Sequence, residues 1–445
     1  MPTNYNPRRG TTPVHGSSTR SSSARRPSSY YAQENDRYIP RSPRTNRRKR
    51  KSGPPPILYV AVLVLVVLIV AIVLLVKSCG SKPEGSDTSS NSSQTSSQTS
   101  SVDGTSQDPN TSSTSEGQSS STPSESEPTP APQEEPQADP ETVGALMVVG
   151  DTAYEYYNFN TDLANSYITA VADAGEKLSG IATLYDMVVP TSIDIMLPES
   201  YLEKNADKIN TSDQRKAIEE YIYPSIQANN SSVKTVSTFD TLKAHANEYL
   251  YFRTDHHWTQ LGAYYAYTEF CKARGFEAVP LEDFDKKEYT GYLGSFYSSS
   301  SEAAAALGGN PDTVEAYIPK ANVTLNATQS DGQVLENWPL IADGDEYGET
   351  MKYLIYAAGD QPYEEITNND MEDGPSCILV KESFGNCFIP FLVNHYKNVY
   401  VVDYRYYTGT VTALAQEKGV DDVILLNNIS MTRNEGLIDN FTNIF

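Results

Sequence analysis

The chain has 445 residues, with 34 Lys and Arg against 57 Asp and Glu and a formal net charge of −23. That charge is unevenly spread: residues 1–56 hold 13 basic and two acidic side chains, a net of +11, so the remainder carries −34. So acidic a body excludes a nucleic-acid-binding domain, which needs clustered Lys and Arg, and four cysteines in this length exclude a disulfide scaffold.

The arm formed by residues 1–56 is rich in Arg, Ser and Pro and too poor in apolar residues to bury a core, which predicts disorder. Residues 57–76 follow as an apolar run of twenty without a charge. As a helix rising ~1.5 Å per residue the run spans ~30 Å, the hydrocarbon thickness of a bilayer. Arg47-Arg48-Lys49-Arg50-Lys51 stands before it, and only Lys77 and Lys82 follow closely. The positive-inside rule therefore predicts a single-pass plasma-membrane protein with a cytoplasmic N-terminus and an extracellular C-terminal part. The long arm and long apolar run favour an uncleaved signal anchor over a cleaved signal peptide. Cys79 is not a good lipid acceptor, since Lys77 spoils the small-residue approach such a site needs. Residues 77–140, dominated by Ser, Thr, Gln, Pro and Glu, predict a disordered tether with an r.m.s. reach of ~45 Å.

From residue 141 to 445 the pattern changes to a core-forming one. In chain order it predicts a strand at 146–149, a helix at 162–177, a strand at 181–189, a helix at 213–228 and a strand at 233–236. A strand at 248–252 leads into Asp255-His256-His257-Trp258, and a helix at 260–274 stops at Gly275. After a looser region come a strand at 377–381, a turn at 382–386, a helix at 387–396 and a strand at 399–403. A helix at 411–418 and a strand at 423–426 complete the series. The alternation predicts an α/β domain with a mostly parallel sheet flanked by helices. Such a sheet places its site beyond the carboxyl ends of its strands.

Two constellations lie at such ends. In an extended stretch residues two apart share a face, so Asp255 and His257 point together and His256 points away. A carboxylate beside an imidazole suits a general base, although Asp255 could equally cap the helix that follows. In Lys381-Glu382-Ser383-Phe384-Gly385-Asn386 an apolar strand turns sharply into a helix. A serine there is either an N-cap or a nucleophile, with Gly385 and Asn386 as oxyanion donors. Arg405, after the strand at 399–403, is a candidate for an anionic or sugar group, or else an ion-pair partner. Ser295 is a rival nucleophile that reads more readily as a turn residue, and Asn427-Asn428 read as turn formers. A zinc site from Asp255, His256, His257 and His395 is disfavoured, because adjacent histidines seldom bind one ion and no H-E-x-x-H pattern is present. The reading therefore assigns no metal and no cofactor.

Tyr251-Phe252-Arg253-Thr254-Asp255-His256-His257-Trp258-Thr259 with Gly262-Ala263-Tyr264-Tyr265 resembles the signature of the bacterial DHHW family. So does a second block: Gly359-Asp360, Glu382-Ser383-Phe384-Gly385-Asn386, Phe388 to Leu392, His395-Tyr396 and Asp403-Tyr404-Arg405-Tyr406-Tyr407. That family is similar to the SGNH-hydrolase-like domains of alginate O-acetyltransferases, which read Asp-x-His-Trp where this chain has Asp255, His257 and Trp258. The resemblance implies an SGNH-hydrolase-like fold and a Ser383–His257–Asp255 triad, with Asn386, Gly385, Arg405 and Trp258 around the oxyanion and substrate. It implies transfer of acetyl groups to a polysaccharide, beside a membrane-bound O-acyltransferase, or release of acetyl groups by the same acyl-enzyme. One departure is Glu382, where the family has Asp, which bears on oxyanion geometry. The rival from another class is a catalytically silent glycan-binding or assembly component. In that case Ser383 and His257 would stand well beyond hydrogen-bond reach. The acidity of the domain and tether favours a neutral glycan over an anionic wall polymer.

Overall fold

The computed structural model describes residues 133–445. The arm at 1–56 and the apolar run at 57–76 lie outside the described residues, as does the tether up to residue 132. Among the described residues no helix is long and apolar enough to cross a membrane.

Three short strands open the domain: β1 (Pro140–Val143), β2 (Leu146–Val149) and β3 (Thr152–Glu155), an antiparallel sheet of their own. Both faces of β2 are covered. Met147 and Val149 pack with Ile193, Leu197 and Tyr201, while Leu146 and Val148 pack with Phe296, Ala303 and Leu307. This is why β2 is apolar throughout rather than alternating.

The chain then runs through α1 (Thr161–Lys177), β4 (Thr183–Val189), α2 (Tyr223–Asn229), β5 (Lys234–Thr235) and α3 (Gln260–Arg274). The Asn160 side chain caps α1 by accepting from the backbone N–H groups of Asp162 and Leu163. The helix predicted at 213–228 is helical but not uniformly α: Lys216–Ile222 is a π-helix. Pro224 has no N–H to give, and the Tyr223 N–H reaches back five residues to Ile218.

After α3 come the hairpin β6 (Asp285–Tyr292) and β7 (Asp312–Ile318), then β8 (Val323–Thr328), β9 (Val334–Trp338), β10 (Tyr363–Asn368), β11 (Ser376–Lys381) and β12 (Asn398–Asp403). The chain ends with α4 (Val411–Lys418), β13 (Asp422–Asn428) and α5 (Glu435–Asn443). The eight-stranded sheet has the order β5-β4-β13-β11-β12-β10-β8-β9. Its first five strands are parallel, and β10, β8 and β9 are antiparallel. The expected mostly parallel sheet is thus a mixed one, and the looser region supplies its three antiparallel strands.

Strand periodicity divides the core into two layers. In β11, Cys377 and Leu379 face the layer that holds α3, whereas Ile378 and Val380 face the layer that holds α1, α2, α4 and α5. In β13, Ile424 and Leu426 join the first layer, and Val423 and Leu425 the second. A sheet covered on both faces needs apolar residues at every position, and these strands have them. Cys271, Cys377 and Cys387 are buried and unpaired.

Two expected elements differ. The strand at 248–252 is a loop with a single bridge between Tyr251 and Trp258. The Thr259 N–H donates to Leu250 O, which folds the segment back on itself. The helix at 387–396 is limited to Ile389–Leu392, preceded by a 3-10 turn at Ser383–Gly385. A proline at the start of the helical turn and the tight 3-10 turn before it keep a longer helix from forming.

Candidate active site

β11 ends at Lys381, and the chain turns sharply through Ser383. The cap of that turn is Glu382, whose Oε2 accepts from the Phe384 N–H at 3.0 Å. Ser383 is thereby freed from capping. Gly385 sits against the Lys381 side chain, where an added Cβ would lie 2.6 Å from Lys381 Cβ, so no larger residue fits. The Asp255–Trp258 segment arrives from the start of α3. Asp312 on β7 holds its approach, with Oδ2 accepting from Thr254 Oγ1 at 2.6 Å and from the Thr254 N–H at 2.8 Å. On its other side the Ala153 N–H of β3 donates to Arg253 O.

The two segments meet in one line of hydrogen bonds. His257 Nε2 lies 2.7 Å from Ser383 Oγ, and His257 Nδ1 lies 2.6 Å from Asp255 Oδ1. Asp255 Oδ1 also accepts from the His257 N–H at 2.8 Å, an Asx-type turn that locks the carboxylate to the imidazole two residues on. Sharing a face is therefore the work of a turn, not of the extended strand that the spacing suggested. Asp255 Oδ2 accepts from the Tyr292 hydroxyl at 2.9 Å and the Ser295 N–H at 2.7 Å. Gly294 leaves room for this: an added Cβ would stand 2.2 Å from that of Asp255. Burial pushes the Asp255 carboxyl upward, but His257, His256 and the hydrogen bonds outweigh it and hold it well below the usual carboxylate range. His257 is stacked on Tyr353, ring centroids 3.9 Å apart at 14°. Tyr353 in turn donates its hydroxyl to Ser383 O at 2.8 Å. A fixed carboxylate, an imidazole with one tautomer enforced and a serine hydroxyl in contact can together move a proton off that hydroxyl.

The other expected site residues have different surroundings. Trp258 is completely buried, and its Nε1 donates to Phe384 O at 2.9 Å, which ties the two segments together behind the serine. Asn386 is completely buried as well. Its Oδ1 accepts from Lys381 Nζ at 2.7 Å and its Nδ2 donates one N–H to Asp360 Oδ1 at 2.9 Å, which ties its amide into the buried cluster of Lys381, Asp360 and Asp403. The Gly385 N–H donates to Glu382 O. Arg405 is paired with Asp403, at 2.6 and 2.8 Å, and with Asp360 at 3.1 Å. This is the ion-pair alternative, in a buried form. Ser295 starts a short helix and its Oγ lies 2.5 Å from His256 Nδ1. Burial and the neighbouring His257 push the His256 imidazole down to about 4. Asp255, His256 and His257 could offer metal ligand atoms within 4.8 Å of one another, but His395 is elsewhere, bound to the Tyr267 hydroxyl at 2.5 Å.

Three further residues belong to this end of the sheet, of which the sequence marked Glu382 only as a departure from the family and Asn428 only as a turn former. Glu382 Oε1 accepts from the Asn428 N–H at 2.9 Å. Lys381 is in register with Leu426, and the bond to Glu382 sets Asn428 beside the residue that precedes Ser383. Asn428 is buried with its Nδ2 unpartnered. Glu155, at the end of β3, is 4% exposed, and its Oε2 is unpartnered. Only the strand-end position of Asn428 was a usable signal; Glu155 had none.

The sequence profile of the DHHW protein family matches residues 122–402. A search of the curated proteins finds no match. Among solved structures, a DHHW family protein from Eubacterium siraeum is 26% identical with a TM-score of 0.60, covering 69% of this chain and 97% of its own. Bacillus cereus PatB1, solved with a sulfonyl adduct, is 18% identical with a TM-score of 0.50, covering 67% and 97%. The O-acetyltransferase domain of Pseudomonas putida AlgJ is 11% identical with a TM-score of 0.37, too remote to carry an argument.

Proposed function

We propose that this chain, which belongs to the DHHW family, is a serine-dependent O-acetyltransferase or acetylesterase acting on a cell-surface or secreted polysaccharide. The observation that carries the reading is the 2.7 Å contact of His257 Nε2 with Ser383 Oγ, continued to Asp255 at 2.6 Å. A silent glycan binder would have no need to hold these groups in reacting contact. That PatB1 was captured with a sulfonyl adduct is in keeping with a nucleophile in proteins of this fold.

In the first half-reaction Ser383 Oγ bonds to the acetyl carbonyl carbon while its proton passes to His257 Nε2. The ester C–O bond then breaks, and His257 returns the proton to the departing alcohol oxygen. In the second half an acceptor hydroxyl gives its proton to His257 and takes the acetyl group, and His257 passes that proton to the departing Ser383 Oγ. A sugar acceptor makes the enzyme a transferase, and water makes it an esterase. Asp255 stabilises the imidazolium formed in each half. The developing oxyanion is held by the Ser383 N–H and by Asn428 Nδ2, in place of Asn386. The acidity of the chain favours a neutral glycan, and a membrane-bound O-acyltransferase would supply the acetyl group.

The test is acetyl release from a chromogenic acetyl ester by the full chain beside Ser383→Ala and His257→Ala. Turnover should fall by about 10³-fold or more in both. Turnover kept by a folded Ser383→Ala protein would sink the mechanism. The reading also includes anchoring by residues 57–76 with the domain outside. Protease added to intact cells should then remove the domain and spare the arm; the opposite pattern would refute that topology.

A further inference from the structure

Glu155 is a buried residue whose environment the mechanism leaves unexplained. It lies on the small N-terminal sheet, yet a series of hydrogen bonds joins it to Glu382, the residue before the serine. Ser383 Oγ, whose proton faces His257, lies 3.3 Å from Glu382 Oε2, and Glu382 Oε1 accepts from the Asn428 N–H at 2.9 Å. Asn428 Oδ1 accepts from the Ser430 N–H at 2.9 Å, and Ser430 Oγ donates to Glu155 Oε1 at 3.2 Å. The series ends at Glu155 Oε2, which is buried with no partner. The charge of Glu155 is felt at His256, whose ring lies against that of His257 with centroids 3.8 Å apart and planes tilted by 37°.

A carboxylate oxygen withdrawn from water and left without a donor is unfavourable, and residues of this kind cluster where a ligand supplies the missing group. The missing group is a hydrogen-bond donor. A buried carboxylate there also disfavours an anionic group. Of the chemistries that a polysaccharide offers, the hydroxyl fits: it donates, it is neutral, and it sits on the ring carbons next to the ester. We infer that Glu155 and Ser430 form a substrate subsite in which Glu155 Oε2 accepts a free ring hydroxyl of the sugar whose ester faces Ser383. Ser430 Oγ, already donating to Glu155 Oε1, orients that carboxylate and can accept from a neighbouring hydroxyl. The inference rests on the reading of Ser383 as acyl carrier and goes beyond it by naming what selects the sugar.

The test compares two esters with the full chain: methyl 6-O-acetyl-glucoside, and its 2,3,4-trideoxy analogue, which lacks the ring hydroxyls. The readout is the ratio of their kcat/KM values, because a site built around a hydroxyl rejects the analogue without it. The unsubstituted chain should favour the hydroxyl-bearing ester by about tenfold or more. Glu155→Gln, of the same shape, should bring the ratio below about threefold, and Ser430→Ala should lower it in the same direction. A ratio near one in the unsubstituted chain would overturn the subsite. So would a Glu155→Gln protein that loses activity on both esters in proportion, since that is what a structural role would give. Failure of the acyl-carrier reading looks different: either ester would then be cleaved equally well by Ser383→Ala.

Discussion

At the scale of single residues, the Asp255–His257 pair was legible because the spacing of two placed carboxylate and imidazole on one side. The physical cause is different from the one that the spacing suggested. Asp255 accepts the His257 N–H and so closes a turn, and the same oxygen receives the ring nitrogen. Asn386 and Asn428 show the converse. Asn386 stands three residues after Ser383 and invited assignment as an oxyanion donor, yet Lys381 and Asp360 hold its Oδ1 and one of its N–H groups. Asn428 is 45 positions away in sequence and becomes a neighbour only through the pairing of β13 with β11. Its position at a strand end was the only local sign of it. Asn428→Ala is expected to lower kcat by about 10²-fold with little change in KM, as removal of one oxyanion donor does. Asn386→Ala should instead lower the melting temperature, because Lys381 and Asp360 each lose a buried partner. Steady-state kinetics and thermal melts on both variants check the pair of outcomes. Full kcat in Asn428→Ala would remove it from the oxyanion site.

At the scale of elements, the five parallel strands were largely readable from apolar runs and β10, β8 and β9 were not. A strand buried on both faces is apolar at each position, as in Cys377-Ile378-Leu379-Val380. The β10 segment Tyr363-Glu364-Glu365-Ile366 breaks that pattern with a completely buried Glu364, which burial pushes well above the usual carboxylate range. Asp186 on β4 is another such group and yields a stability test. It is fully buried, with Tyr167 donating to Oδ1 at 2.5 Å and Oδ2 unpartnered. Burial pushes its carboxyl up from 3.8 to about 7, against the lowering effect of that hydrogen bond. The folded chain therefore keeps this proton up to neutral pH, whereas the unfolded chain loses it near 3.8. The contribution of Asp186 to stability is full below 3.8 and declines as pH rises to about 7, by roughly 4 kcal/mol in all. Asp186→Asn removes the titration and keeps an acceptor for Tyr167. Relative to the unsubstituted chain it should gain stability at pH 8 compared with pH 4, measured by urea unfolding at both. An equal difference at the two pH values would contradict the assignment.

At the scale of the whole molecule, the described domain joins two functions of its fold. The mixed sheet brings β11 and β13 side by side, so that serine and Asn428 share one end. The small N-terminal sheet then braces the Asp255–Trp258 loop through Ala153 and Arg253 and carries Glu155 towards the same end. The residues before this sheet are those in which the sequence predicts a tether and a membrane anchor. A catalytic domain so attached would meet polymer within ~45 Å of the bilayer, which suits glycan modification in the envelope. All of this depends on Ser383 carrying the acyl group. The most direct measurement is a rapid acid quench of the full chain during turnover of an acetyl ester, followed by mass mapping of the peptides. The account expects one acetyl group on the peptide that contains Ser383, absent from His257→Ala and Ser383→Ala. Turnover with no acetyl on that peptide, or with an acetyl group that persists in Ser383→Ala, would contradict it.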